Sequence, residues 1–309
     1  MDQIIDLNRC ATVLDHSDHF RVLRRLEPRT VFDFDESETV RRGLILDVET
    51  TGLDHNLHQV IELGMVPFTY TDDGRILSAD APFCSFQEPF GPIPSEITRL
   101  TGIDMTMVSG CMIDRDAVKR LVEPVDLVIA HHANFDRKFA EDLLPIFAQK
   151  PWACSLDQVP WREEGMSGGK LSYLATDLGL FFEAHRAADD CQATLEILSR
   201  PLPRSGQTGF SHLLRQAFEP TWRVWAECAP FQRKDLLKSR TYRWSDGSNG
   251  RPRAWYRDFR EEEVGLEFEF LRREVYGFPA DIQVTQITAL DRFSVRTLAC
   301  PRSVAHVRS

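Results

Sequence analysis

The chain has 309 residues, 42% apolar and 27% charged, which suits an ordinary folded protein with room for two domains or one large one. No charge-free apolar run approaches the roughly 20 residues that span a bilayer, and the opening MDQIIDLNRC lacks the basic-then-apolar order of a signal peptide. The expectation is a cytoplasmic protein with no membrane partner. Seven scattered cysteines, never in a CxxC pair, argue against a disulfide framework and a cysteine-built zinc site, and predict reduced, mostly buried thiols.

The net charge of −10 is unevenly spread. Residues 1–200 carry 19 Lys and Arg against 34 Asp and Glu, whereas 201–309 carry 18 against 13. An acidic first part suits cation binding, because clustered carboxylates repel until metal ions neutralise them, and a basic remainder attracts phosphates. A solvated acidic surface would give the same count.

Residues 1–40 mix short helical stretches with an acidic run at 33–38 and read as an N-terminal extension without assigned function. Apolar runs at 44–48, 60–70 and 76–86, separated by turn-rich breaks, predict three consecutive antiparallel strands. Helical spacing follows at 94–101 and 115–122, then a short buried strand at 127–130, then helices at 135–147, 171–178 and 187–198. This order predicts a mixed sheet in an α/β domain over 41–200. The Pro-, Gly- and Ser-rich stretch PLPRSGQTG at 201–209 is the expected linker. Beyond it, 210–309 predicts a smaller α+β domain: a Trp-rich helical piece at 210–226, a hairpin around 246–250, a helix at 261–276 and two closing strands, the last within TALDRFSVR.

The segment GLILDVETTG places Asp47 and Glu49 two apart in a strand, on one face, with Leu44, Leu46 and Val48 on the other. Two acids on an otherwise apolar strand are costly unless a cation sits between them, and divalent metals are the usual remedy. A wetted edge strand is the alternative. In VIAHHANFDRKFAEDLL, Asp136 falls in the first turn of a helix with inner stripe Phe135, Phe139 and Leu143; taken alone, it would simply complement the helix N-terminus. In HRAADDCQATLEIL, Cys191, Thr194, Leu195 and Leu198 mark a buried face. Asp190 then points inward, Asp189 shares an outward stripe with Gln192 and Glu196, and His185 precedes the helix on a loop.

The order Asp-x-Glu, then Asp, then His with Asp five residues later resembles the DEDDh 3′–5′ exonucleases, the family of polymerase proofreading subunits and ribonuclease T, over about residues 42–199. The motifs DVETTG, AHHANFD and HRAADD carry the likeness, with support from PFGPIPSEITRLTGI, which in the family shapes the terminal-nucleotide pocket, and GGKLSYLATDLGL. The resemblance implies a ribonuclease-H-like mixed sheet flanked by helices. It implies that Asp47, Glu49, Asp136 and Asp190 hold two Mg2+ or Mn2+ ions and that His185 is the general base. It also implies that Thr50, Thr51, Gly52, Phe135 and His132 lie near the substrate, a single-stranded DNA or RNA 3′ end. His132 departs from the family's usual Asn at that place. A polymerase or repair partner follows from the same resemblance, as a proofreading-subunit reading; a catalytically inactive scaffold is the third reading.

In the basic part, KSRTYRWSDGSNGRPRAWYRDF interleaves Arg with Tyr and Trp, as a single-strand stacking surface requires; the same rings could instead fill the domain's own core.

Overall fold

The computed structural model describes residues 6–33, 39–247 and 250–296. The chain divides into two compact units, Met1–Gln216 and Ala217–Ser309.

The first unit begins with helix α1 (Leu7–Asp15) and the short strand β1 (Arg24–Arg25), then β2 (Val40–Thr50), β3 (Val60–Thr71), β4 (Ile76–Ala79) and β5 (Phe83–Phe86). Helices α2 (Ser95–Thr101), α3 (Met105–Val108) and α4 (Arg115–Val122) lead to β6 (Leu127–Ala130), α5 (Ala133–Leu143), β7 (Trp152–Cys154), α6 (Ser155–Gln158), α7 (Leu171–Asp177), β8 (Leu180–Phe181) and α8 (Ala187–Ser199). The main sheet runs β4-β3-β2-β6-β7, with β5 also on β3. β2, β3, β4 and β5 pair antiparallel, while β6 and β7 continue parallel to β2, so the sheet is mixed as expected. The run 76–86 is two strands rather than one, because Asp80–Pro82 leaves the ladder before β5 pairs Glu62–Met65. The helix expected over 135–147 begins at Ala133 and ends at Leu143, where Pro145 cannot continue the α ladder and opens a 3₁₀ turn.

Residues 24–30 of the expected N-terminal extension are tied to this unit. Arg24 and Arg25 pair parallel with Leu180 and Phe181, Ala79 donates to the Thr30 carbonyl, and Arg29 Nε donates to Glu196 at 2.8 Å. Glu196, placed on an outward stripe by helical spacing, is therefore buried: Arg29 and Arg200 Nε (2.6 Å) enclose it. Asp189, on that stripe too, is half-buried. The acidic run at 33–38 lies, except for Asp33, outside the described residues.

The stretch 201–209 belongs to the first unit, and the division falls inside α9 (Gly209–Phe218). Phe210 explains why: its ring meets Tyr70 at 5.0 Å and Phe68 at 5.5 Å, edge to face.

The second unit contains β9 (Thr221–Ala226), α10 (Lys234–Ser239), β10 (Arg243–Trp244), β11 (Trp255–Phe259), α11 (Glu261–Phe270) and β12 (Gln283–Ile287). The strands form an antiparallel sheet in the order β10-β11-β9-β12, whose core joins Val224, Phe259 and Val284 to Val264 and Leu271. Residues 210–226 are a helix followed by a strand, not one helical piece: Pro220 cannot extend α9, and TWRVWA pairs on both sides, with β11 and β12, as β9. The hairpin forms as β10–β11, with residues 248 and 249 outside the described chain. TALDRFSVR is not a strand in its described residues, 288–296. Thr288 Oγ1 donates to Asp291 at 2.6 Å and Leu290 N to Thr288 Oγ1, and this local bonding turns the chain away from the ladder.

Of the six described cysteines only Cys154 and Cys191 are buried, so the expectation of mostly buried thiols does not hold. Among the described residues no helix is long and apolar enough to cross a membrane.

Candidate active site

Strand β2 delivers the first two acids. Asp47 lies opposite Gly64 and Glu49 opposite Glu62 on β3, with a register shift immediately after Glu49. Helix α8 lies close against β3: a Cβ on Gly64 would stand 2.3 Å from the Ala187 carbonyl carbon. Only a glycine permits that approach, and it brings the first turn of α8, with Asp190, down to the β2 carboxylates. One oxygen from each of Asp47, Glu49 and Asp190 lies within 4.8 Å of the others. Asp136 arrives from the other side. Parallel β6 releases the chain at its end into α5, and Asp136 Oδ1 accepts from Val48 N at 3.3 Å.

All four acids line one cavity of about 550 Å3, together with Thr50, Gly52, Leu100, His132, Phe135 and His185. Ile97, Leu100 and Thr101 of the ITRLT stretch also reach it. Thr51 does not: it lines the neighbouring groove, and its hydroxyl accepts from Gln59 N at 3.0 Å. Gly52 is small for an internal reason, since a Cβ there would stand 2.4 Å from the His58 ring. The Phe135 ring stacks with exposed His132 at 6.1 Å and packs on Phe139 at 4.9 Å, so one face supports the helix while Phe135 still borders the cavity. His131, next in sequence, is occupied structurally. Its ring nitrogens meet Ser155 Oγ and the Gly169 carbonyl, each at 2.8 Å, and burial pushes its pKa down to about 4.

His185 stands exposed on the loop before α8, in the left-handed region at φ 68. That conformation is held by Asp190, whose Oδ2 accepts from His185 N at 2.8 Å and Arg186 N at 3.1 Å. A second carboxylate, Glu62, had no role in the motif reading. It is fully buried, accepts from Arg186 Nη2 at 2.9 Å and from Ala187 N at 3.1 Å, and so anchors the His185 loop and the N-terminus of α8. The available signal was a charged residue inside the apolar run VIELGMV.

Burial raises the pKa of every acid in the cluster. It pushes Asp136 and Asp190 to about 7 and Glu49 to about 8, and neighbouring carboxylates add to the effect; Asp47 is held well above the usual carboxylate range, by burial and then by Asp136 and Asp190. Among the described residues none of the four makes an ion pair with Lys or Arg. Arg186, the nearby guanidinium, is bound to Glu62. Buried, mutually repelling, all-oxygen donors without a protein counter-ion fit a hard divalent cation, which would lower all four pKa values together.

Residues 44–198 match the sequence profile of the exonuclease family, ribonuclease T group, which is half of the chain. The chain belongs to the exonuclease family. The mixed sheet with flanking helices is that family's ribonuclease-H-like fold. One relative, DNA polymerase III PolC-type of Clostridium perfringens, is 33% identical over 161 residues, covering 50% of this chain and 11% of that protein. The chain thus spans about a tenth of the length of that PolC relative. DNA polymerase III subunit epsilon of Treponema pallidum is 28% identical over 186 residues, 57% of this chain and 82% of its own length. A solved structure of exonuclease X in complex with 5′ overhanging duplex DNA aligns with TM-score 0.42 and 22% identity, over 55% of this chain and 97% of that one.

Proposed function

We propose that the protein is a 3′–5′ exonuclease that removes nucleoside 5′-monophosphates from single-stranded DNA, using two Mg2+ or Mn2+ ions. The observation that carries this reading is the convergence of Asp47, Glu49, Asp136 and Asp190 on one cavity, none of them ion-paired to Lys or Arg among the described residues, beside His185. Asp47, Glu49 and Asp190 would hold the metal, with Asp136 completing the set. When bound, the ions would neutralise charge on the scissile phosphate and its leaving oxygen.

The residues of the chain carry the remaining tasks. The His185 imidazole takes a proton from the attacking water as its oxygen bonds to phosphorus; the phosphorus–O3′ bond breaks, and O3′ takes a proton from solvent, leaving the shortened strand with a 3′-hydroxyl. The terminal base and sugar fill the part of the cavity lined by Leu100, Phe135 and Gly52, and Lys170, the Lys of its lining, supplies charge for a phosphate. The glycine-free backbone at His185 is held by Asp190, so one carboxylate serves both the ion and the base loop.

The test incubates purified protein with 5′-labelled single-stranded DNA and RNA under magnesium, manganese or chelator. Ladders shortening from the 3′ end, absent with chelator and reduced by roughly a hundred- to ten-thousandfold in His185→Ala and at least as far in Asp190→Ala, are the expected result. Full-length strands in every lane would instead favour a binding scaffold. The coverage of most of an epsilon subunit supports a second reading, association with a polymerase; co-elution with a polymerase subunit on gel filtration tests it.

A further inference from the structure

A run of rings and cations lies at the surface of the second unit, with Trp255 resting on the core and Trp244 and Phe231 standing outside it. Phe231 is 75% exposed, with Lys234 Nζ 4.3 Å from its ring centre. Lys238, one turn further along α10, stands 6.0 Å from the ring of Trp255. Trp255 in turn meets Trp244 edge-on at 5.4 Å, and Trp244 is 50% exposed. The register Trp244↔Trp255 sets both indoles side by side on one face of the β10–β11 hairpin. Their neighbours in the same stretch behave differently. Tyr242 and Phe259 are buried in the core, and the Tyr242 hydroxyl donates to Glu267. The core is therefore filled without Trp244, and that indole is left facing outward.

The two lysines beside these rings touch ring faces but have no carboxylate partner among the described residues. Arg223, Arg240 and Arg273 of this unit pair with Asp258, Glu267 and Glu274, whereas Lys234, Lys238, Arg243 and Arg253 make no ion pair among the described residues. Unpaired ammonium groups interleaved with accessible indole and phenyl faces match one ligand chemistry in both respects: phosphates for the cations and nucleobases for the rings. An acidic peptide would satisfy the lysines and leave the indoles wet. An apolar partner would strip water from the ammonium groups without replacing it.

We infer that this surface binds single-stranded nucleic acid, stacking bases on Trp244, Trp255 and Phe231 and placing phosphates at Lys234 and Lys238. The inference rests on the exonuclease reading for why the chain needs a strand-holding surface, but the binding itself requires no cleavage.

The test measures fluorescence anisotropy of labelled single-stranded DNA and RNA of roughly 30 nucleotides, long enough for several stacking contacts. The full chain is used in chelator, so that no metal-dependent cleavage occurs. Trp244→Ala should weaken binding by roughly five- to a hundredfold, the worth of one stacked base, and Trp244→Phe should recover most of it. A Lys234→Glu/Lys238→Glu double variant should weaken binding further and reduce its salt dependence. Hydrolysis of thymidine 5′-(p-nitrophenyl phosphate) with magnesium should remain at the wild-type rate in all these variants, and unchanged far-UV circular dichroism should show that their second unit folds. No hydrolysis by the wild type would sink the exonuclease reading and leave the binding result standing. Wild-type affinity for both polymers in Trp244→Ala and in the double variant would overturn the inference. So would polyglutamate competing as well as an oligonucleotide of equal charge, which would assign the surface to an acidic protein.

Discussion

Glu62 shows how one buried side chain can govern a site it does not form. Its carboxylate receives Arg186 and the Ala187 amide, and those two bonds fix the loop that carries His185. Glu62→Gln keeps the volume and removes the charge. The expected outcome is a kcat lowered roughly ten- to a hundredfold through misplacement of the base, with strand Kd within about twofold, because the cavity lining is untouched. Single-turnover rates and binding titrations separate these effects; a lowered melting temperature with normal kcat would reduce Glu62 to a structural role. Motif spacing did not reach this residue. Asp47 and Glu49 were legible because alternation in a strand is local, whereas Glu62 meets Ala187 125 residues further along the chain.

At the scale of elements, the site depends on how closely α8 approaches β3. Gly64 sets that distance, since a Cβ there would overlap the backbone at Ala187 and Ala188, atoms that cannot rotate away. Gly64→Ala should therefore lift the helix, costing about 1–3 kcal/mol of stability as an overpacked contact, or roughly 2–4 °C of melting temperature per kcal/mol. Activity should fall further than stability does, because Asp190 moves away from Asp47. Urea unfolding and metal titration on the same preparation check it, and unchanged metal affinity would show that α8 does not set the carboxylate spacing. The helices and strands themselves were largely readable, since amphipathic spacing follows from each segment alone. The failures came where chain breaks or remote partners decide: Pro220 turning 210–226 into helix and strand, and Arg29 covering Glu196 on the stripe predicted to face water.

For the whole molecule, the acid cluster couples stability to pH and to metal. Without metal, Asp136 and Asp190 hold protons up to about pH 7 and Glu49 up to about pH 8, while the unfolded chain releases them near pH 4. Between these limits the folded state binds more protons than the unfolded state, so the contribution is fully present below about pH 4 and is lost as pH rises through 7 to 8. Metal-free protein should accordingly lose more than about 1.4 kcal/mol, the worth of one pKa unit, between pH 5.5 and 8.5. Magnesium should restore it, with a stabilisation that grows with pH. Calorimetry across that range with and without magnesium tests the sign; stability rising with pH in chelator would contradict the cluster's electrostatics.

By itself the sequence determined the identity and order of the carboxylates, the strand face shared by Asp47 and Glu49, and the helical placement of Asp136 and Asp190. Each of these follows from the period of two or 3.6 residues within a single segment. Tertiary structure alone decided that Asp47, Glu49 and Asp190 come within one ion's reach, that Thr51 turns to the neighbouring groove, and that 201–209 packs with the first unit. It alone left Trp244 outside a core that Tyr242 and Phe259 fill. These outcomes depend on contacts between segments far apart in the chain, and burial there is set by which surfaces meet rather than by the pattern of either one.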